Sequence, residues 1–332
     1  MFYRSGLRAE PGAGDFKGYG DAVMEKHPAV IGLPRAMLYY RYGTLWRAFF
    51  QELGMETAVS NPTDREILER GTALAIDEAC LSLKIYLGHV ASLAGKCEYI
   101  LVPRVSNFGR RRSMCTRFEA LPDLVRNIFR DTDQKFLSYN VDVLQKKEEE
   151  AAFLEMGRRL GCSSRAARQA YKTAKKAELA HFKAGVQRQE ELCRKDGMKI
   201  LIAAHSYVME DPYMGKTVTA YLRRSGVIPL RADLTDRDAA LKRSRELSPT
   251  CKWEISREIL GGIVRRREDA DGIILLSAFP CGPDAMVNEL ITRRVKEIPI
   301  LNLVLDSQTG TAGVETRLES FIDIIRFKEG KL

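Results

Sequence analysis

Three cysteines stand where a thiolate could bind a metal. Cys80 follows Asp77, Glu78 and Ala79 and precedes a stretch of helical pattern, Leu81 to Leu93. Its sulfur is therefore at or near a helix N-terminus, where the dipole and the unpaired N–H groups favour the thiolate. Cys115 lies within Ser113-Met114-Cys115-Thr116, in a long loop after an apolar run ending at Pro103. Cys281 closely follows the apolar run Gly272 to Ser277, and Pro283 marks a helix start just beyond it. None of the three has a neighbouring cysteine at the spacing of a local CxxC pair. Spacing alone therefore leaves each open as an ordinary buried thiol. Cys97, Cys162, Cys193 and Cys251 fall at strand or helix edges or in a polar connection, and read as structural.

Other groups are weaker candidates. Of the four histidines, His27, His89, His181 and His205, only His205 ends an apolar strand pattern facing the expected crevice, which makes it a possible substrate contact. Asp284 and Glu289 fall on the first helical turns after Cys281, where a carboxylate favours the dipole. Gly215-Lys216-Thr217 has the ending of a phosphate-binding loop. However, Glu210 replaces the required glycine, and Asp211 and Pro212 put a carboxylate and a missing N–H in the cradle. A nucleoside-triphosphatase site is rejected on that ground, and no GxGxxG points to a dinucleotide.

The elements that must position these residues repeat along the chain. Ala29 to Leu33, Met37 to Leu53 with Gly54 as a stop, and Glu56 to Ser60 read as strand, helix, strand. Met198 to Ala204, Tyr213 to Arg224 with Gly226 as a stop, and Val227 to Ala232 repeat that order. Tyr99 to Pro103, Gly272 to Ser277 and Ile298 to Leu305 are further buried strands, and Val314 to Phe327 a closing helix. Val143 to Cys193 reads as two helices broken near Gly161 that bridge or cap the two lobes. The fold class is α/β, with two Rossmann-like lobes of parallel sheet related by internal duplication, plus a helical connecting segment. The expected division is a loose tail over 1–28, a first lobe over 29–135, the helical segment over 136–197 and a second lobe over 198–332. In open α/β sheets, ligands gather beyond the carboxyl ends of the strands, and two of the three cysteines fall there, one from each lobe.

Composition narrows the class. A chain of 332 residues suggests two lobes at roughly 150 residues each. No stretch approaches the roughly 20 uncharged apolar residues of a membrane span. Seven widely spread cysteines do not resemble a secreted disulfide framework, and the N-terminus lacks a secretory signal core, so a cytoplasmic location is expected. The net charge of +9 brings short basic runs at Arg110 to Arg112 and Arg265 to Arg267. No nucleic-acid motif accompanies them, so they read as solvated surface or as a site for an acidic small ligand.

Taken together, several stretches resemble the 2-hydroxyacyl-CoA dehydratase superfamily, in its single-chain branch associated with the acyl-CoA dehydratase activase. They are Ile31 to Arg35 with Tyr39 and Tyr40, Asp77 to Cys80 with Gly88 and His89, Val102 to Arg104, Cys281 to Asp284, Leu305 and Asp306 with Thr309 and Gly310, and Thr316 to Glu319. The resemblance covers about residues 29 to 130 and 198 to 328. It implies a [4Fe–4S] cluster on Cys80, Cys115 and Cys281, with one iron left without a protein ligand. It further implies an ATP-dependent activase that supplies low-potential electrons, an acyl-CoA or other small molecule as substrate, and a second dehydratase-type subunit or a homodimer. The chain would then be a lyase of the dehydratase kind or an iron–sulfur reductase. A double-cubane cluster is disfavoured, because the other four cysteines are poorly placed to ligate it. The alternatives are a non-enzymatic cluster-bearing relay protein and a zinc-binding or metal-free small-molecule binding protein.

Overall fold

The chain opens with apolar runs too short for helices and too apolar for an exposed face, and these become the inner strands of two sheets. In the computed structural model, which describes residues 29–307 and 311–328, Val30–Leu33 is β1, Tyr39–Glu52 α1, Glu56–Val59 β2, Arg65–Leu74 α2, Leu81–Leu93 α3 and Tyr99–Leu101 β3. The expected tail over 1–28 lies outside the described residues. A second set follows: Arg104–Asn107 is β4, Thr116–Glu119 α4, Leu121–Ile128 α5, Lys135–Leu137 β5 and Asn140–Asp142 β6. Glu149–Arg159 (α6) and the 30-residue Ser164–Cys193 (α7) form the helical connection. Beyond it come Lys199–Ala203 (β7), Ser206–Met209 (α8), Gly215–Arg224 (α9), Ile228–Arg231 (β8), Arg237–Leu247 (α10) and Glu254–Arg266 (α11). Gly272–Ala278 (β9), Gly282–Arg294 (α12), Ile300–Leu305 (β10) and Thr311–Lys328 (α13) complete the chain.

The first parallel sheet has the order β2-β1-β3-β5 and the second β8-β7-β9-β10, so the two match strand for strand. Smaller details repeat as well. Gly54 after α1 and Gly226 after α9 hold φ of +74° and +76°, the left-handed ending that glycine adopts without strain. Asp64 accepts from the Ile67 N–H at the start of α2, and Asp236 from the Ala239 N–H at the start of α10, each at 2.8 Å. The internal duplication expected from the strand, helix, strand repeat is present. One element crosses an expected boundary: β5 begins at Lys135 and pairs with β3 as the outer strand of the first sheet.

Both halves also rely on glycine where helices touch backbone to backbone. A Cβ at Gly71 of α2 would lie 1.8 Å from the Lys84 carbonyl oxygen of α3, and one at Gly261 of α11 would lie 1.9 Å from the Ala240 carbonyl of α10. In α7 the small residues Ala167, Ala170 and Ala174 are fully buried, and this helix packs against α1 in one half and β8 in the other. It therefore ties the two sheets together, as a bridging segment should.

The seam between the halves is polar. Arg41 of α1 reaches Glu258 of α11 through two hydrogen bonds of 2.6 and 2.8 Å, with both side chains nearly buried. Burial opposes the Glu258 charge, but the facing guanidinium overrides it and holds the carboxyl below its usual range. A second link is a chain of hydrogen bonds whose direction is fixed at each step. The Arg35 N–H donates to Ser60 Oγ, which lies 2.9 Å from Nδ1 of His89 and donates to it once the ring proton is on Nε2. The Thr63 hydroxyl proton goes to Asp211 Oδ2 at 2.5 Å, so Thr63 Oγ1 must accept from Nε2–H of His89. His89 is thus a neutral Nε2–H tautomer in the middle of a relay that ends on a carboxylate of the other half.

Burial lowers the His89 pKa from 6.5 to about 4, with the Arg35 charge adding to the shift and Asp64 opposing it. A depressed imidazole pKa means that the unfolded chain takes up this proton first. The stability contributed by neutral His89 is complete above pH 6.5 and is lost as pH falls toward 4. Asp211 acts in the opposite sense, because burial raises its pKa. The unfolding free energy of the wild type from urea titration should therefore fall between about pH 7 and about 4.5, by about 1–3 kcal/mol, and His89→Gln should flatten that fall. Glycine gives a second expectation. Gly71→Ala should cost about 1–3 kcal/mol or more of stability by overpacking. Gly313→Ala, at an exposed position of α13 with nothing within 4 Å, should add about 0.5–1 kcal/mol. Thermal denaturation of the two variants checks both.

Candidate functional site

Cys80, Cys115 and Cys281 line one cavity of about 40 Å³ between the two halves. Each is the residue immediately before a helix, with extended backbone: Cys80 before α3, Cys115 before α4 and Cys281 before α12. His205, which lines the same cavity, stands in the same relation to α8. Four chain segments thus turn from extended backbone into a helix around one cavity.

Two backbone contacts across the seam set this arrangement. The Leu81 N–H, first in α3, donates to the Phe279 carbonyl at 2.8 Å, which fixes Cys80 beside the loop that carries Cys281. The Ser113 N–H donates to the Lys252 carbonyl at 2.9 Å and the Glu254 N–H returns to the Ser113 carbonyl at 2.8 Å, which pins the loop of Cys115 to the start of α11. The Arg112 guanidinium bonds the buried Glu254 carboxylate beside that point. All three cysteines are free thiols and partly buried.

The charge environment is shared. Burial pushes the Cys80 thiol up, partly offset by the Leu83 N–H and by the Arg117 charge, while Cys115 and Asp284 add to the rise. Burial pushes the Cys281 thiol up strongly, with the Asp284 carboxylate next in weight and Cys80 contributing. Tyr207 is driven well above its usual value by burial, and then by Cys281, Asp284, Cys80 and Cys115. These groups therefore lie within one another's field. A phenol held protonated must donate, so the Tyr207 hydroxyl gives its proton to Nδ1 of His205 at 2.6 Å. The other ring nitrogen of His205, Nε2, faces Asp284 Oδ1 at 3.3 Å. Nearby ligating atoms of His205, Cys281 and Asp284 all lie within 4.8 Å of one another. Asp284 Oδ2 and Ser82 Oγ are buried and have no hydrogen-bond partner among the described residues.

The three cysteines and His205 singled out in the sequence line this cavity, and the four cysteines read as structural lie elsewhere. Cys97 fills the space beside Gly32, whose absent Cβ would meet its sulfur at 2.5 Å. Cys162 and Cys193 flank α7, with Cys193 3.7 Å from an Arg266 nitrogen. Cys251 sits before α11, its N–H bonded to Ser248. Sequence reasoning missed Ser82, Arg117 and Tyr207, and took Asp284 as a helix-dipole carboxylate only. The signals were present but generic: Tyr207 is two residues past His205, and Asp284 three past Cys281. The would-be phosphate loop is a structural element instead, because Asp211 accepts from Thr63, from Tyr40 at 3.4 Å and from the Tyr213 N–H at 2.8 Å.

Comparison with known proteins gives one family match. No curated protein sequence matches the chain. Three chains among solved structures match; one is entitled "Crystal structure of ZnuA", at 10% identity, covering 90% of this chain and 99% of that one, with a TM-score of 0.24. Residues 30–234 match the model of the family described as "CoA enzyme activase uncharacterised domain (DUF2229)", which takes in β1 through β8 and with them Cys80, Cys115 and His205. The match spans more than half of the chain, and the chain accordingly belongs to the CoA enzyme activase uncharacterised domain family.

Proposed function

We propose that the chain is an iron–sulfur redox protein in which Cys80, Cys115 and Cys281 hold a [4Fe–4S] cluster, that it takes electrons from an ATP-dependent activase, and that it acts on an acyl-CoA or another small molecule. The observation that carries this reading is the presence of three thiols, from three distant segments, on the wall of one cavity. Two buried oxygens beside them, Ser82 Oγ and Asp284 Oδ2, are orphaned, and a buried polar atom without a partner is costly unless a further group meets it. The donor set suits iron and sulfide: three sulfurs and a nearby cation, Arg117, with helix N-termini facing inward to offset thiolate charge. When bound, such a cluster supplies low-potential electrons and one iron with an open coordination position.

The chain's own groups have definite tasks in this reading. The backbone bond from the Leu81 N–H to the Phe279 carbonyl holds the Cys281 loop beside Cys80. Tyr207 bonds Nδ1 of His205 and so orients the ring, which turns Nε2 toward Asp284. The apolar walls, among them Met114, Phe118 and Ile255, limit water at the sulfurs.

A second reading has its own observation. A nitrogen, a sulfur and an oxygen from His205, Cys281 and Asp284 lie within 4.8 Å, a donor mixture that suits zinc. Metal counting separates the two. Protein purified without oxygen should carry about four iron and four sulfide per chain and show the visible absorption of a cluster. Zinc in place of iron would favour the second reading, and a metal-free protein with three readily alkylated thiols at the cavity would overturn both. Cys281→Ala should lose most of its iron while keeping the wild-type circular dichroism spectrum, and Cys97→Ala should keep its iron. Full iron in Cys281→Ala would remove that residue from the ligand set. Exposure to air should bleach the absorption within one experiment, because an iron without a protein ligand is open to oxidants.

A further inference from the structure

A second concave site lies on the other side of the wall that closes the cysteine cavity. The chain forms a narrow hairpin between Asn107 and Ser113, which pair as an antiparallel bridge, with the Phe108 N–H bonded to the Arg112 carbonyl. At its tip Gly109 holds φ of +116° and Arg111 φ of +61°, the second a left-handed conformation that a long side chain seldom adopts. The tip is held in place by Arg257, a buried residue of α11. Its guanidinium donates to the Arg111 carbonyl at 2.8 Å, to the Leu241 carbonyl at 2.7 Å and to Ser244 Oγ at 3.3 Å. Hairpin tip, α10 and α11 together enclose a cleft of about 680 Å³.

The cleft is lined by cations from three directions: Arg110, Arg111 and Arg112 from the hairpin, Lys242 and Arg245 from α10, and Arg257 from its floor. One carboxylate, Asp238, shares the lining. Arg112 is spent on Glu254. Among the described residues Arg110, Arg111, Lys242, Arg245 and Arg257 form no ion pair, so five cations without a carboxylate partner collect in one concave lining. Within α10 the two kinds of cation stand side by side. Arg243 pairs with Glu246, while Lys242 and Arg245, three residues apart and so on one face, have no partner and face the cleft. The one buried guanidinium satisfies itself on neutral oxygens and so keeps its full positive charge in a low-dielectric floor.

We infer that this cleft binds a small anion carrying at least two linked phosphates. Unneutralised like charges in a concave space repel one another, and an anion that spans them offsets the repulsion. Several guanidinium and ammonium groups at separate points of the wall select a ligand with charge at several points over a single compact anion. The size is that of a small-molecule site. No aromatic side chain lines it, so it offers no stacking surface for the bases of a nucleic acid. The inference stands apart from the proposed cluster, because none of these residues is among the proposed ligands.

The test is isothermal titration of the anaerobically purified protein with inorganic diphosphate, orthophosphate and sulfate, with iron measured on the same samples. Diphosphate should bind in the micromolar range, at least about tenfold more tightly than orthophosphate or sulfate. The exposed double variant Lys242→Ala/Arg245→Ala should lose about tenfold or more in diphosphate affinity with its iron and its melting temperature unchanged. Arg65→Ala/Arg70→Ala, which removes the same charge from a distant helix, should bind as the wild type. Millimolar binding without preference for diphosphate, or an equal loss in both double variants, would overturn the inference. Tighter binding of a polyglutamate peptide than of diphosphate would also overturn it, by showing a surface for an acidic protein segment. Iron lost from the wild type itself with diphosphate binding intact would remove the cluster and leave the cleft.

Discussion

The geometry of the site depends on a polar seam between two sheets whose own interiors are apolar. Buried apolar residues of both halves form one continuous core, including Phe118 against Tyr207, and such contacts bind the halves without fixing a direction. Orientation is set by directional contacts: the Arg41 fork on Glu258, the hydroxyl of Thr63 on Asp211, Arg112 on Glu254, and the backbone bonds of Leu81 to Phe279 and Ser113 to Lys252. Buried ion pairs add little net stability over well-packed apolar groups, because desolvation cancels much of the attraction. Their effect is selective, since a shifted arrangement leaves a buried charge without its partner, which is far more costly. Three sulfurs from three segments can meet only if the halves hold one relative position, and a seam of this kind enforces it.

That explains why the two backbone bonds fall where they do. Leu81 follows Cys80 directly, and Phe279 is two residues before Cys281. Ser113 is two residues before Cys115. Each crossing bond is within a peptide or two of a cysteine, so the sulfur inherits its placement from main chain and little freedom remains in the side chain. Placing the cysteine just before the helix adds a second restraint, because the helix axis fixes the direction in which the first N–H groups point. A residue placed mid-loop without such a bond would leave its sulfur free to wander by more than a metal–ligand bond tolerates.

Much of this was legible in the sequence, for a physical reason. Strand, helix and stop signals at Val30 to Gly54 and at Lys199 to Gly226 are local, and local preference and global fold agree there. The inner strands β7 and β9 show as unbroken apolar runs because both faces are covered. What escaped notice depends on distant partners. The short outer strand β5 has only three residues and one exposed face, so no period is visible in it, and α2 and α10 are marked by aspartate caps that look like ordinary polar loops. The polar residues of the seam, Glu258 and Asp211 among them, carry no signal of burial at all, since an aspartate that bridges two halves is spelled like one on the surface. The convergence of the cysteines followed from the resemblance and from strand order, whereas spacing alone gave no support. The roles of Tyr207 and Ser82 follow only from coordinates.

The distribution of charge about the wall at Ser113 and Trp253 has its own logic. On one side are the three thiols and His205, with Arg117 the cation in the lining. On the other side is a surplus of cations. Glu254 stands in the wall itself, with its backbone bonded to Ser113, its side chain lining the cysteine cavity and its carboxylate held by Arg112 at the edge of the cleft. A carboxylate buried to this degree survives because the guanidinium beside it is fixed, and the guanidinium is fixed because the hairpin that carries it is clamped by Arg257. The same clamp therefore keeps the cations of the cleft in position and keeps a negative charge in the wall of the cavity. The two spaces share their supports, so a disturbance of the hairpin between Asn107 and Ser113 must be felt in both.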